Sequence, residues 1–322
     1  MKDKFINFLR NPKNRQLDFT IVDNFLIDSS GNKFPIINDI PRFVEQDNYS
    51  KSFGFQWNKF KKTQFDIKGH FNISEDRFYN NTRWRNIDLA GKKILEVGSG
   101  AGRFTEVILR TEAELFSVDY SNAVDANWQS NKEKKEFFIA QASIYELPFK
   151  ENSFDFVFCY GVIQHTPDVK ASFMNLVKFL KVGGKLSIDV YKKNWKSIFL
   201  SKYWFRIFTK KMSHHKLLKL IEWYVPKWFP VSSLLIRIPY IGKFLCQIIP
   251  ISNYTMQFPE LSKHQLVEWA ILDTFDMLSP EYDQPQTLST LKKWAIDAKL
   301  EITYCGVGDN GYVLNATKVC VE

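Results

Sequence analysis

Lys93-Ile94-Leu95-Glu96-Val97-Gly98-Ser99-Gly100-Ala101-Gly102-Arg103-Phe104 is the stretch on which the fold turns. Its branched apolar residues read as a buried strand, three glycines in five residues read as a tight turn, and residues 103–110 open a helical pattern. Strand, glycine turn and helix make the first unit of a parallel sheet with crossover connections. In such a sheet the turn lies at the carboxyl edge, where nucleotide-like ligands bind. Glycine lets backbone approach a ligand where a side chain would block it. The pattern alone also suits a turn that binds nothing.

The neighbouring sequence extends the alternation. Leu115-Phe116-Ser117-Val118, Phe137-Phe138-Ile139 and Phe154-Asp155-Phe156-Val157-Phe158 read as strands, with residues 122–134 as an intervening helix. Phe173, Leu176, Val177 and Leu180 have helical spacing, with Gly183-Gly184 as the expected helix end and Lys185-Leu186-Ser187-Ile188-Asp189-Val190 as the next strand. Residues 301–304 and 312–316 predict a closing hairpin on an Asn310-Gly311 turn. The expected class is α/β: a Rossmann-like, doubly wound, mostly parallel seven-stranded sheet with a C-terminal antiparallel hairpin, a small N-terminal β module and a helical insert.

Three features narrow the ligand. Arg103 stands where a dinucleotide fingerprint has its third glycine, and Glu96 before the turn would repel a pyrophosphate yet suit an ammonium group. Val118-Asp119-Tyr120 ends the following strand, which puts an acid where ribose hydroxyls are held. A ribose-bearing ligand without phosphates is implied, and S-adenosylmethionine meets that description.

On these residues the chain resembles the class I S-adenosylmethionine-dependent methyltransferases, most closely the type 11 group. The resemblance implies that Gly98, Ser99 and Gly100 line the methionine part, that Asp119 grips the ribose and that Tyr120 packs on the adenine. It extends to residues 140–149, where Ser143 replaces the usual aspartate that contacts the adenine amino group and Ile144 follows it, and to residues 154–168. Tyr160 and Glu96 complete the expected cofactor site. His165 becomes the candidate general base for a hydroxyl acceptor; the plainer reading is a histidine bonded to Asp168 or to its loop backbone. Residues 40–44, 52–57 and 63–64, with 269–283, are similar to methyltransferases found among bacterial surface-polysaccharide and lipid genes. In those proteins the leading module resembles a zinc ribbon, whose ligand cysteines residues 17–49 lack, so no metal is expected. Trp57, with Gln56, Thr63 and Gln64, is expected to close over the cofactor, and Tyr191, Tyr282 and Asp283 to line the acceptor pocket.

Composition sets the remaining bounds. A chain of 322 residues, 45% hydrophobic and 16% aromatic, is built to bury rings and excludes a disordered or collagen-like class. Four separated cysteines suggest neither a disulfide framework nor a zinc site. The first residues have no signal-peptide pattern, which predicts a cytoplasmic protein, peripheral at the inner membrane surface if its basic segment meets lipid. Between residues 190 and 259 twelve Lys and Arg face one acid, Glu222, so that stretch carries +11 while the remainder carries −2.

The expected organisation is a β module at 1–50, a helical lead-in and cofactor cap at 51–90, the S-adenosylmethionine-binding core at 91–191, a basic aromatic insert at 192–260 and a C-terminal part at 261–322. The insert could dock an anionic lipid surface, a glycan carrier or another copy of the chain, or be a lid with solvated lysines; nucleic acid ranks lower because no RNA-binding module accompanies it. The expected activity is methyl transfer from S-adenosylmethionine, leaving S-adenosylhomocysteine, to a small-molecule, sugar or lipid-linked acceptor, at oxygen. Two alternatives stay open: an NAD-dependent oxidoreductase on a similar fold, and a non-catalytic scaffold.

Overall fold

The computed structural model describes residues 3–45, 50–60, 72–193, 201–242, 245–246 and 249–320; Thr63 and Gln64 lie outside these. The chain divides into two compact units, Met1–Asn48 with Phe65–Lys193 and Tyr282–Glu322, and Tyr49–Gln64 with Asn194–Glu281.

In the first unit, β1 (Phe19–Val22), β2 (Phe25–Asp28), β3 (Lys33–Ile37) and β4 (Ile40–Pro41) form a four-stranded antiparallel sheet. Phe19, Phe34 and Phe43 pack ring on ring beneath it. Arg42 fastens this module to the main sheet, donating to Asp125 at 2.7 Å and to Gln141 at 3.2 Å.

The main sheet of the described residues has seven strands: β5 (Lys93–Val97), β6 (Glu114–Asp119), β7 (Phe137–Gln141), β8 (Phe154–Cys159), β9 (Leu180–Val190), β10 (Leu300–Gly308) and β11 (Gly311–Lys318). Their order is β10-β11-β9-β8-β5-β6-β7. β5 to β9 run parallel, and β11 enters antiparallel between β9 and β10. Chain order reverses between β5 and β8, so the switch point lies where the glycine turn and the loop after β8 leave the sheet side by side. Rings fill the layer below: Phe116 meets Phe5, Phe149 and Phe154 edge-on at 5.2–5.7 Å.

Two local expectations are corrected. The helix Val169–Phe179 stops at Leu180, whose backbone is extended, and β9 runs on through Gly183-Gly184. Those glycines serve a bulge: β8 advances from Phe154 to Phe156 while β9 advances from Leu180 to Lys185. A Cβ on Gly184 would stand 2.9 Å from the Lys181 carbonyl oxygen. In the closing hairpin Gly308 pairs with Gly311, so Asp309 and Asn310 form the turn, and neither has positive φ. Gly311 is needed for another reason, since a Cβ there would meet the Val190 carbonyl oxygen at 2.1 Å.

The second unit is helical: Lys51–Lys59, Ser201–Thr209, His214–Leu235 and Lys263–Leu278. The last is started by a capping box between Ser262 and Gln265. Phe55 from the first helix lies 6.0 Å from Phe275 and 4.7 Å from His215, and Lys59 pairs with Glu222. Among the described residues no helix is long and apolar enough to cross a membrane.

Candidate active site

The glycine turn is built to bring backbone close. Gly98, Gly100 and Gly102 all have positive φ. A Cβ on Gly98 would stand 2.1 Å from Cγ2 of Val162, in the loop after β8, and one on Gly102 would stand 2.4 Å from Oδ1 of Asn127. The amides of Gly98 and Ser99 donate to the Val118 carbonyl, locking the turn to the end of β6.

Asp119 braces the same turn from the other side. Its Oδ2 accepts the Gly100 N–H at 2.9 Å, and its Oδ1 accepts the N–H and hydroxyl of Ser121. Burial pushes its carboxyl upward, against these hydrogen bonds. Glu96 lies beneath, wholly buried, its Oε2 accepting the hydroxyls of Thr105 and Ser117. Asn127 continues the network by donating to Thr105. Desolvation dominates over the two hydroxyls, and the Glu96 carboxyl is pushed up to about 7.

The far wall belongs to the loop after β8. His165 is buried, and its Nδ1 lies 2.9 Å from the carbonyl oxygen of Tyr282. A carbonyl can only accept, so Nδ1 carries the proton and Nε2 is the basic nitrogen. The ring of Tyr191 stands edge-on to His165 at 5.3 Å. Gln284 laces the segment down, its N–H bonding the Gln164 carbonyl and its side chain the carbonyls of Thr166 and Pro167. The structure thus gathers His165, Tyr191, Tyr282 and Asp283 at one edge. Asp168 does not hold the histidine; it caps the helix Val169–Phe179 by accepting from Ala171.

Other predicted residues fall as follows. Tyr120 is half-buried after β6, and Ser143 and Ile144 follow β7, where the Ser143 hydroxyl accepts the Tyr145 N–H. Tyr160 is buried with its hydroxyl 2.7 Å from that of Ser187, which donates to Asn315. That places the tyrosine oxygen inside the sheet. Trp57 is half-buried on the helix Lys51–Lys59 of the second unit.

Sequence reasoning missed Arg77 and Asp189. Asp189, at the end of β9, is buried, pairs with Arg77 at 2.9 Å and accepts the N–H of Gly161. Burial pushes its carboxyl upward, with Arg77 opposing. An acid interrupting the apolar end of Leu186-Ser187-Ile188-Asp189-Val190 was the available signal.

The residues fit the adenosyl cofactor on one further point. The Ser99 hydroxyl, in the middle of the glycine turn, is buried with no hydrogen-bond partner among the described residues, and a buried hydroxyl left so is costly until a ligand supplies the partner.

Residues 95–188 match the family model described as a methyltransferase domain. That stretch of the chain is therefore similar to the methyltransferase domains of the type 11 group. The match counts against the oxidoreductase reading of those residues and agrees with S-adenosylmethionine as the expected cofactor. Over 111 residues the chain is 31% identical to phosphoethanolamine N-methyltransferase 2 of Caenorhabditis elegans, a match covering 33% of this chain and 25% of that enzyme. Over 113 residues it is 29% identical to the ubiquinone biosynthesis O-methyltransferase of Coxiella burnetii, covering 34% of this chain and 48% of that one. The chain thus spans half or less of these relatives' length. Among solved structures, a putative S-adenosylmethionine-dependent methyltransferase of Methanococcus maripaludis superposes with a TM-score of 0.47 at 14% identity, over 87% of this chain and 98% of that one. Magnesium protoporphyrin IX methyltransferase of Synechocystis, solved with bound S-adenosylhomocysteine, gives 0.46 at 14% identity, over 84% and 96%.

Proposed function

We propose that this protein methylates a hydroxyl group on a sugar or lipid-linked acceptor. The observation that carries the choice of oxygen is the hydrogen bond from His165 Nδ1 to the Tyr282 carbonyl, which fixes the tautomer a proton-accepting histidine needs. When bound, S-adenosylmethionine supplies a methyl group on a positively charged sulfur. The chain supplies alignment, exclusion of water and a proton acceptor.

Gly98, Ser99 and Gly100 hold the methionine part in this reading, Asp119 the ribose, and Tyr120, Ser143 and Ile144 the adenine. His165 Nε2 takes the acceptor's hydroxyl proton as the oxygen becomes the nucleophile. Asp189, buried nearby and already neutralised in part by Arg77, favours the positive charge that the imidazole then carries. Tyr191, Tyr282 and Asp283 line the acceptor side. The choice of a sugar or lipid-linked class rests on the sequence resemblance of residues 40–44, 52–57, 63–64 and 269–283 to methyltransferases found among bacterial surface-polysaccharide and lipid genes.

The test is transfer of label from methyl-labelled cofactor into fractionated host extract. Label in a glycan or lipid fraction, present as a methyl ether, supports the reading. Label on nitrogen or in protein overturns it.

A further inference from the structure

The helix Ser201–Thr209 is packed inside out. The residues it buries are polar: Arg206 donates to the carbonyls of Met277 and Pro280 at 3.1 and 2.7 Å, and the Thr209 hydroxyl donates to that of Leu278 at 2.9 Å. These bonds satisfy carbonyls at the end of the helix Lys263–Leu278, which otherwise lack partners. The cost is that Trp204, Phe205, Ile207 and Phe208 face outward, with Trp204 63% and Phe208 72% exposed.

The helix His214–Leu235 repeats the feature. Leu217, Ile221, Val225 and Phe229 are buried, while Leu220, Trp223, Val231 and Leu234 are exposed along one stripe, with Lys227 four residues from both Trp223 and Val231. Lys227 lies within the stripe with its ammonium 4.1 Å from the Trp223 ring. Beyond the helix Tyr240, at positive φ, holds its ring fully in solvent between exposed Ile238 and Ile241. Scattered apolar side chains on a surface need no explanation; rows of tryptophan and phenylalanine do.

Charge identifies the partner. Exposed Lys210, Lys211, Lys216, Lys219, Lys227 and Arg237 accompany these rings. The one acid of residues 201–242, Glu222, is paired with Lys59. Aromatic rings facing outward among lysines match the interface of an anionic bilayer, where rings settle at headgroup depth and lysines stay in the aqueous layer. We propose that residues 201–241 dock this protein reversibly on an anionic phospholipid membrane. The proposal goes beyond methyl transfer and stands or falls independently of it.

The experiment is co-sedimentation of the full-length protein with vesicles of phosphatidylcholine alone and of an equimolar mixture with phosphatidylglycerol. Binding to the mixed vesicles, weakened by salt, with tryptophan fluorescence shifted to the blue and quenched by brominated acyl chains, is the expected result. Trp204→Ser with Phe208→Ser should reduce binding at least tenfold, and Lys210→Glu or Lys211→Glu each by more than the roughly fivefold that removing one basic charge costs. Helical content by circular dichroism and an unchanged thermal transition report that these variants fold, and quenching in the wild type needs no variant. Absence of binding to mixed vesicles overturns the proposal. So does self-association abolished by the serine pair, or retention on single-stranded nucleic acid without vesicle binding. Loss of methyl transfer with vesicle binding intact would remove only the enzymatic reading.

Discussion

His165 Nδ1 and the carbonyl oxygen of Tyr282 are 2.9 Å apart, although 117 residues separate them in sequence. The bond leaves the imidazole one way to act, as a proton acceptor at Nε2. His165→Ala is expected to lower turnover by about 100-fold or more while leaving cofactor affinity unchanged. Steady-state rates, with calorimetric titration of S-adenosylhomocysteine, make the check.

Gly98→Ala should cost at least tenfold in cofactor affinity. The new methyl meets Val162 at 2.1 Å, and the residue stands at φ +80°. Adding Val162→Ala is expected to recover part of the loss by relieving the steric term, and the backbone strain of about 1–2 kcal/mol remains. Full recovery in the double variant would mean that sterics alone require the glycine.

Asp119→Ala is expected to weaken cofactor binding by roughly 1.5–3 kcal/mol, the range for hydrogen bonds to a charged group. It also removes the brace on the Gly100 N–H, so Asp119→Asn should recover part of the affinity. Equal affinities of alanine variant and wild type would end the ribose assignment.

Glu96 should make the cofactor-free protein less stable as pH rises. Its carboxyl titrates near 7 when folded and near 4.5 when unfolded, so the folded state binds the extra proton between those values. Stability is then fully present below about 4.5 and is lost as pH rises to about 7, by on the order of 3 kcal/mol. Glu96→Gln keeps an oxygen for the Thr105 and Ser117 hydroxyls and removes the titration. Its Tm should vary less than that of the wild type between those pH values and exceed it at pH 8.

Tyr160→Phe separates two roles. A hydroxyl engaged with Ser187 predicts a loss of about 1 kcal/mol in unfolding free energy with cofactor affinity kept. The opposite pattern would return the tyrosine to the cofactor, as the motif alone suggests.

Sequence reading found the parallel core because alternating apolar runs and helical spacings are local properties of the chain. The roles of Gly183-Gly184 and Gly311 were read wrongly for one reason: each glycine answers a neighbouring strand's backbone, and that neighbour is distant in sequence. Arg77 and Asp189 escaped because a helix 112 residues away completes the pair.

By itself, then, the sequence determined the glycine turn, the acids Glu96 and Asp119 and the histidine loop, since residue type and spacing along one chain suffice to specify them. Only the tertiary structure decided what each group faces. It put the Tyr160 hydroxyl inside the sheet, made Tyr282 the partner of His165, and turned the polar side of residues 201–209 inward. Hydrogen-bond satisfaction is the physical reason: a carbonyl or hydroxyl is paired by whatever folding brings beside it, and the pattern of a segment says nothing about that neighbour.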